Sequence, residues 1–500
     1  MCGPLVITQE SRATGFGIPN TLISLNPKPY TLHPYPNMAK PKRRQQVELT
    51  IENVAYGGKG IAHVDDFVIF VERSLPGDVV HARITRVRKQ YAEAYPVELR
   101  KPSPLRQDAP CRHFGYCGGC KWQNVAYEQQ LLFKQQHVEE SLRHIGDIQP
   151  EAMHPVLPSP RIFGYRNKME FSFAEKGWLT PAELENSYIK KQFALGLHVP
   201  GHFDRIINIE ECLLQSENMN AVLNFSREYL QQTGIPVYHV RTHEGVLRFL
   251  VLRESFASGN IMINLVTAEP VENELKEYVQ LINRKFPFVS SIVNSINTRH
   301  AQVATGERFI PLFGEPRLYE KIGQYRFEIS PDSFFQTNPI QTENLYNVIK
   351  SYAGIQNDVV WDLYSGTGSI AIFVARNARK VMGFEVVESS VKDAYRNARL
   401  NTIDNCEFIA GDVRLNLQKF GSNPPGVLIC DPPRAGLHKD VLEAILTITP
   451  PKIIYVSCNP TTLARDLAVL GNDYRVVEVQ PVDMFPHTHH IETVVKLVRK

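Results

Sequence analysis

The apolar run Tyr455-Val456-Ser457 delivers Cys458 into the turn Asn459-Pro460. A thiol released at the end of a buried strand stands where it can attack a substrate. Downstream, Pro486-His487-Thr488-His489-His490-Ile491-Glu492 offers a carboxylate in an imidazole-rich turn. A thiolate and a carboxylate in one domain suggest covalent attack together with proton removal. Taken alone, Cys458 reads better as a buried structural cysteine; the neighbouring motifs reverse that order. His487, His489 and His490 resemble metal ligands, but no cysteine or acid pattern accompanies them, and structural or nucleic-acid contacts are the stronger reading.

Acids close a succession of strands upstream. Val359-Val360-Trp361-Asp362-Leu363-Tyr364 runs into Ser365-Gly366-Thr367-Gly368-Ser369-Ile370-Ala371, which satisfies G-x-G-x-x-A, so a dinucleotide competes here. The strand Val381–Glu385 ends in Glu385, which suits ribose hydroxyls, and Phe408–Asp412 ends in Asp412, which suits an adenine amino group. Val427-Leu428-Ile429-Cys430 leads into Asp431-Pro432-Pro433-Arg434. Repeated acids at the carboxyl edge of a sheet favour a cationic, adenosine-bearing ligand, S-adenosylmethionine, over a pyrophosphate. Amino-group methyltransferases place an aromatic residue after Asp-Pro-Pro; Arg434 removes that platform.

Three thiols, Cys111, Cys117 and Cys120, share a glycine-bearing loop, and Cys212 is a remote fourth. In a long chain without a secretory signal, clustered cysteines favour metal or catalysis over disulfides. A triplet plus one distant thiol suits a cubane iron–sulfur cluster, whose sulfurs glycine amides can approach. Zinc, and unliganded structural cysteines, remain as alternatives.

These residues need several supporting units. Five hundred residues exceed one ordinary domain, and about 150 residues per domain suggests three. The net charge of +3 says less than its distribution. Lys40, Lys42, Arg43, Arg44, Arg83, Arg86, Arg88, Lys89, Arg100, Lys101 and Arg106 recur along one small region, a phosphate-binding surface or a set of solvated faces. There Val47–Ile51 alternates, Gly57-Gly58-Lys59-Gly60 turns, Phe67–Val71 is a strand candidate, and Val79–Val87 alternates apolar with basic residues. Short strands between glycine turns fit an oligonucleotide-binding (OB)-like β-barrel. The Gly-Gly-Lys-Gly and Leu75-Pro76-Gly77-Asp78 turns resemble those of the TRAM domain, an RNA-binding barrel.

Residues 1–41 read as a disordered extension, with Met38 an alternative start. Residues 42–101 read as the barrel, 102–334 as a central α+β domain with the cysteine loop, and 335–500 as a Rossmann-like domain whose alternating strands and helices predict a doubly wound parallel sheet. No run reaches a membrane span and no secretory signal opens the chain, so the expected compartment is the cytoplasm. A monomer without an obligate protein partner is expected.

Together the cysteine set, Ser333-Phe334-Phe335-Gln336-Thr337-Asn338, Asp431–Arg434, Val456–Pro460 and Asp483–Thr493 resemble the RNA 5-methyluridine methyltransferases. The resemblance is to the TRAM-bearing iron–sulfur branch acting on 23S ribosomal RNA, and covers roughly residues 42–500. It implies Cys458 as nucleophile and Glu492 as base. It further implies that Gln336, Tyr364, Glu385, Asp412 and Asp431 line the S-adenosylmethionine and substrate site. Cys111, Cys117, Cys120 and Cys212 would hold a [4Fe-4S] cluster. Ser365 departs from the cysteine or threonine of many relatives. Transfer RNA as substrate, and a non-catalytic RNA-binding assembly factor, are the alternatives.

Overall fold

The computed structural model describes residues 40–500; Cys2, the alternative start at Met38 and nearly all of the expected extension lie outside them. Alternating side chains build the first sheet. It comprises Gln46–Thr50, Asn53–Val54, Gly60–Val64, Phe67–Val71, Val79–Val87 and Tyr91–Lys101. Phe67, Ile69 and Val71 point inward, as do Val80, Ala82 and Ile84, while Arg83 and Thr85 face solvent. That is the two-residue period of a strand with one buried face.

A seven-stranded sheet follows, in the order Ile206–Asn208, Ala194–His198, Lys168–Ala174, Leu247–Glu254, Ile261–Thr267, Val289–Ile296 and Arg308–Phe313. Ile261–Thr267 and Val289–Ile296 alone pair in parallel, because helix Lys276–Lys285 provides the crossover that a parallel pair requires. Met219, Val222 and Leu223 of helix Glu217–Gln232 pack with Phe171, Leu250 and Ile263 of the sheet. The hairpin Leu318–Ile322 and Tyr325–Ile329 leads onward.

The third sheet has eight strands: Cys406–Ala410, Lys380–Glu385, Val359–Leu363, Val427–Cys430, Lys452–Ser457, Glu492–Arg499, Tyr474–Val482 and Ala152–Met153. Both faces are covered. Val360, Val381, Ile429, Ile454 and Val456 join one core, and Trp361, Met382, Leu428, Ile453 and Tyr455 the other. The expected all-parallel sheet is in fact mixed, since Glu492–Arg499 runs antiparallel to both its neighbours. Residues 483–491, which connect it to Tyr474–Val482, are too few for a crossover of about a dozen residues.

The span 102–334 is divided between sheets. Val138 and Leu142 of helix Tyr127–His144 join the core of Leu463, Ala464 and Leu467, and Ala152–Met153 pairs with Tyr474–Val482. No helix among the described residues is long and apolar enough to cross a membrane.

Candidate active site

Strand register assembles the site. Leu363 pairs with Phe384 and Cys430, Glu385 with Ala410, and Cys430 with Tyr455. Tyr364, Glu385, Asp412 and Asp431 therefore emerge along one carboxyl edge, where open α/β sheets bind ligands. The antiparallel strand reaches that same edge with its first residue. Ser457 faces Thr493, so one step further along the register brings Cys458 beside Glu492.

The glycine loop shapes the opposite wall. The Gly366 amide donates to Glu385 Oε2 at 3.0 Å and the Val387 amide to Oε1 at 2.9 Å. Gly368 caps helix Ser369–Ala375 with φ +78°, and a Cβ there would lie 2.8 Å from Phe408 Cζ. Only glycine meets both demands without strain. Ser365 Oγ is buried and unpartnered. Asp412 caps helix Val413–Phe420 through the Arg414 amide at 2.8 Å, and Arg414 also holds its carboxylate from 2.5 to 3.1 Å. The guanidinium and amide hydrogen bonds bring the Asp412 carboxyl down to about 2. In the free protein Asp412 is thus already engaged.

Acids crowd the centre. Loss of water pushes Asp431 up to about 7 and, with help from Asp431 and Glu385, the buried Asp362 up to about 8. Glu492 is buried, and desolvation followed by the Asp431 charge raises it well above the usual carboxylate range; Arg434 opposes them. Burial, then Glu492 and Asp431, push the Cys458 thiol up to about 11, again against Arg434. Burial also dominates at His487, His489 and His490, bringing them down to about 4, 3 and 4. They are neutral packing groups: His487 stacks on Phe163 at 4.3 Å and its Nδ1 accepts from Gln130 Nε2 at 3.1 Å.

Side-chain caps hold the motifs together. The Thr461 amide donates to Asn459 Oδ1 at 3.1 Å, starting helix Pro460–Leu470, while Asn459 Nδ2 donates to the Arg434 carbonyl at 3.2 Å. Asn338 caps helix Pro339–Ala353 and donates to the Met484 carbonyl at 3.0 Å. Asp483 accepts from Lys134 Nζ at 2.6 Å and from the Tyr127 hydroxyl at 2.9 Å.

Cys111, Cys117, Cys120 and Cys212 line one cavity of about 550 Å³, which also reaches Gln336, Arg434 and His490. The Gly119 amide donates to Cys117 Sγ at 3.4 Å and Gln123 Nε2 to Cys120 Sγ at 3.2 Å. Asn220 fixes Cys212 through both its backbone groups, at 2.9 and 3.2 Å. Burial pushes Cys117 and Cys120 up to about 12. Among the described residues no three or more His, Cys, Asp or Glu converge tightly enough to hold a metal ion. The Lys121 and Trp122 amides leave this loop to donate to the His487 carbonyl, at 2.8 and 3.1 Å.

Several residues of the site escape sequence reasoning. Asp362 leaves a trace, an acid inside an apolar run. Lys134 interrupts a helical apolar stripe. Tyr56, whose hydroxyl donates to the Cys458 carbonyl at 3.2 Å from the first sheet, leaves none.

The family model for tRNA (uracil-5-)-methyltransferases matches residues 249–421 and 411–500, and that for the TRAM domain matches 40–97. An uncharacterized RNA methyltransferase of Bacteroides thetaiotaomicron is 42% identical over 452 residues, covering 89% of this chain and 99% of the relative. One from Chlorobaculum tepidum is 41% identical over 430 residues, covering 84% and 89%. Among solved structures, the Pyrococcus abyssi tRNA (uracil-54, C5)-methyltransferase in complex with S-adenosyl-L-homocysteine aligns with a TM-score of 0.72 at 31% identity, covering 90% of this chain and 99% of that one. Coverage of this extent, over a sheet edge lined with acids, a cysteine and a glutamate, makes the chain a TRAM-bearing member of the S-adenosylmethionine-dependent RNA uracil-5-methyltransferase family.

Proposed function

We propose that the protein methylates carbon 5 of a uridine in 23S ribosomal RNA, with Cys458 as nucleophile and Glu492 as base. The observation that carries this reading is the delivery of Cys458 and Glu492 side by side at the edge where the acids also end. Carbon 5 of uracil is a poor nucleophile. The Cys458 sulfur adds to carbon 6, and the π electrons of the C5–C6 bond move onto carbon 5 and the adjoining carbonyl. S-adenosylmethionine, when bound, supplies the methyl group that carbon 5 takes up. Glu492 removes the carbon 5 proton, the double bond re-forms and the sulfur leaves.

The acid cluster and the unpartnered Ser365 hydroxyl fit a cationic ligand with further polar groups. Tyr364, Glu385, Asp412 and Asp431 bind and orient it, with Gln336 at the neighbouring wall. For Asp412 this requires release from Arg414. Asp431, poised near neutrality, hydrogen-bonds the uracil edge in either protonation state. The Cys458 proton must leave before attack, and Arg434 is the cation that favours its loss. The uridine has to swing out of its stack to reach the thiol, while the TRAM sheet holds flanking RNA by stacking and phosphate contacts.

Four thiols around one cavity, two of them receiving N–H donors, suit a [4Fe-4S] cluster. Cys111, Cys117, Cys120 and Cys212 would hold it, and it would supply a tie between the cysteine loop and the central sheet.

Transfer RNA is a second reading, favoured by the P. abyssi relative, which acts on tRNA uracil 54. Mapping 5-methyluridine in both RNAs from a deletion strain separates the two. Loss in 23S RNA is expected; loss only in transfer RNA replaces the substrate. With 5-fluorouridine RNA and S-adenosylmethionine, a denaturant-resistant adduct is expected. Adduct formation by Cys458→Ala would refute the nucleophile.

A further inference from the structure

The turn between Asn53–Val54 and Gly60–Val64 carries Tyr56. The turn is closed on itself: the Ala55 amide donates to the Lys59 carbonyl at 2.8 Å and the Gly58 amide to the Ala55 carbonyl at 2.9 Å. Gly57 and Gly58, at φ +104° and +82°, allow the chain to double back there. Tyr56 is thus held on a short, braced tip and reaches across to the catalytic sheet.

Its ring stands edge-on to His489, with centroids 5.5 Å apart, and to His137 at 6.0 Å. Its hydroxyl donates to the Cys458 carbonyl at 3.2 Å. The charged groups acting on that hydroxyl are Cys458, Arg434 and Glu492. Burial first, then the thiol and the carboxylate, push the phenol up to about 12, so it remains a donor throughout the neutral range.

The peptide joining Cys458 to Asn459 is gripped at both ends. Its N–H donates to Ser457 Oγ at 3.2 Å, a bond made within the motif itself. Its carbonyl is held by Tyr56, from the turn that joins two strands of the first sheet. Rotation of this peptide changes the backbone torsion next to the Cys458 Cα and so swings the thiol relative to Glu492. Misplacement of a reacting group by about 1 Å can slow a reaction on the order of a hundredfold.

We propose that Tyr56 is a positioning residue for the nucleophile, through which the TRAM sheet completes the active site. The inference rests on Cys458 being the nucleophile. It gives this sheet a part in the chemical step in addition to RNA binding.

The test compares the full-length wild-type protein with Tyr56→Phe, which keeps the ring against His489 and removes only the hydroxyl. Melting temperature, RNA affinity, the single-turnover methylation rate at saturating RNA, and the rate of adduct formation with 5-fluorouridine RNA are measured. Loss of one neutral hydrogen bond predicts methylation and adduct formation about three- to tenfold slower, with RNA affinity unchanged and the melting temperature lower by no more than about 6 °C. Ser457→Ala, which frees the other end of the same peptide, should slow adduct formation as well. Wild-type adduct rates in either variant overturn the proposal, as does a loss of RNA affinity in Tyr56→Phe that accounts for its slower rate. No adduct from the wild-type protein would overturn the reading of Cys458 and this inference with it; a normal wild-type adduct matched by Tyr56→Phe overturns this inference alone.

Discussion

Replacing Lys134 by methionine should unfasten the turn that leads into Glu492, the proposed base. Lys134 and Asp483 are both fully buried, with Nζ 2.6 Å from Oδ1. The ammonium also donates to the Phe485 carbonyl at 3.0 Å. Methionine fills a similar volume but leaves the Asp483 carboxylate with two neutral donors, the Tyr127 hydroxyl and the Phe485 amide. Removing one member of a buried pair destabilises by about 3–5 kcal/mol. At ~2–4 °C per kcal/mol for domains of 150–250 residues, the melting temperature should fall by roughly 6–20 °C. The double variant Lys134→Met/Asp483→Leu removes both charges and should recover most of that loss. Circular dichroism melts give the stabilities. Single-turnover methylation well below the melting transition should show Lys134→Met slower than wild type, because Asp483 begins the segment that ends at Glu492. A loss under about 1 kcal/mol, or a double variant no more stable than the single, would refute the reasoning.

Glu492→Gln should methylate about 10²- to 10⁴-fold more slowly. It should also accumulate a denaturant-resistant adduct on RNA containing ordinary uridine, since addition and methylation precede the lost step; absence of the adduct on gels counts against the assigned role. Because burial and two acids push Cys458 up to about 11, the thiolate fraction grows as pH rises. The single-turnover rate should climb between about pH 7 and 9 by up to roughly tenfold per unit, and a flat profile would mean another step sets the rate. Gly368→Ala sets a Cβ 2.8 Å from Phe408 Cζ at a positive φ. Left-handed strain of ~1–2 kcal/mol and overpacking of ~1–3 kcal/mol should lower the melting temperature and raise the KM for S-adenosylmethionine, with an unchanged KM as the contrary result.

Local pattern made much of this molecule legible. Phe67–Val71 and Val79–Val87 form strands as expected from the sequence. Acids that close apolar runs do reach one edge of a sheet. What escaped depends on long-range pairing. Nothing near Ala152 or Met153 shows that they extend the third sheet, and nothing near Tyr56 shows that it touches residue 458. The direction of Glu492–Arg499 could have been read from the shortness of the connection before it. The side-by-side placement of Cys458 and Glu492 follows only once that strand is inserted between its neighbours.

The acids gathered at the sheet edge also bear on turnover. Asp362, Asp431 and Glu492 hold protons more tightly than usual because they are dry and face one another. In the proposed reading, the sulfonium of bound S-adenosylmethionine relieves that repulsion. Transfer of its methyl group would turn the sulfonium into a neutral thioether while the carboxyl groups remain, so the charge attraction at the sulfur would be lost in the act of using it. Exchange of spent for fresh donor is then driven by charge. Raising the salt concentration should narrow the difference in affinity between the two, to the extent that solvent reaches the edge.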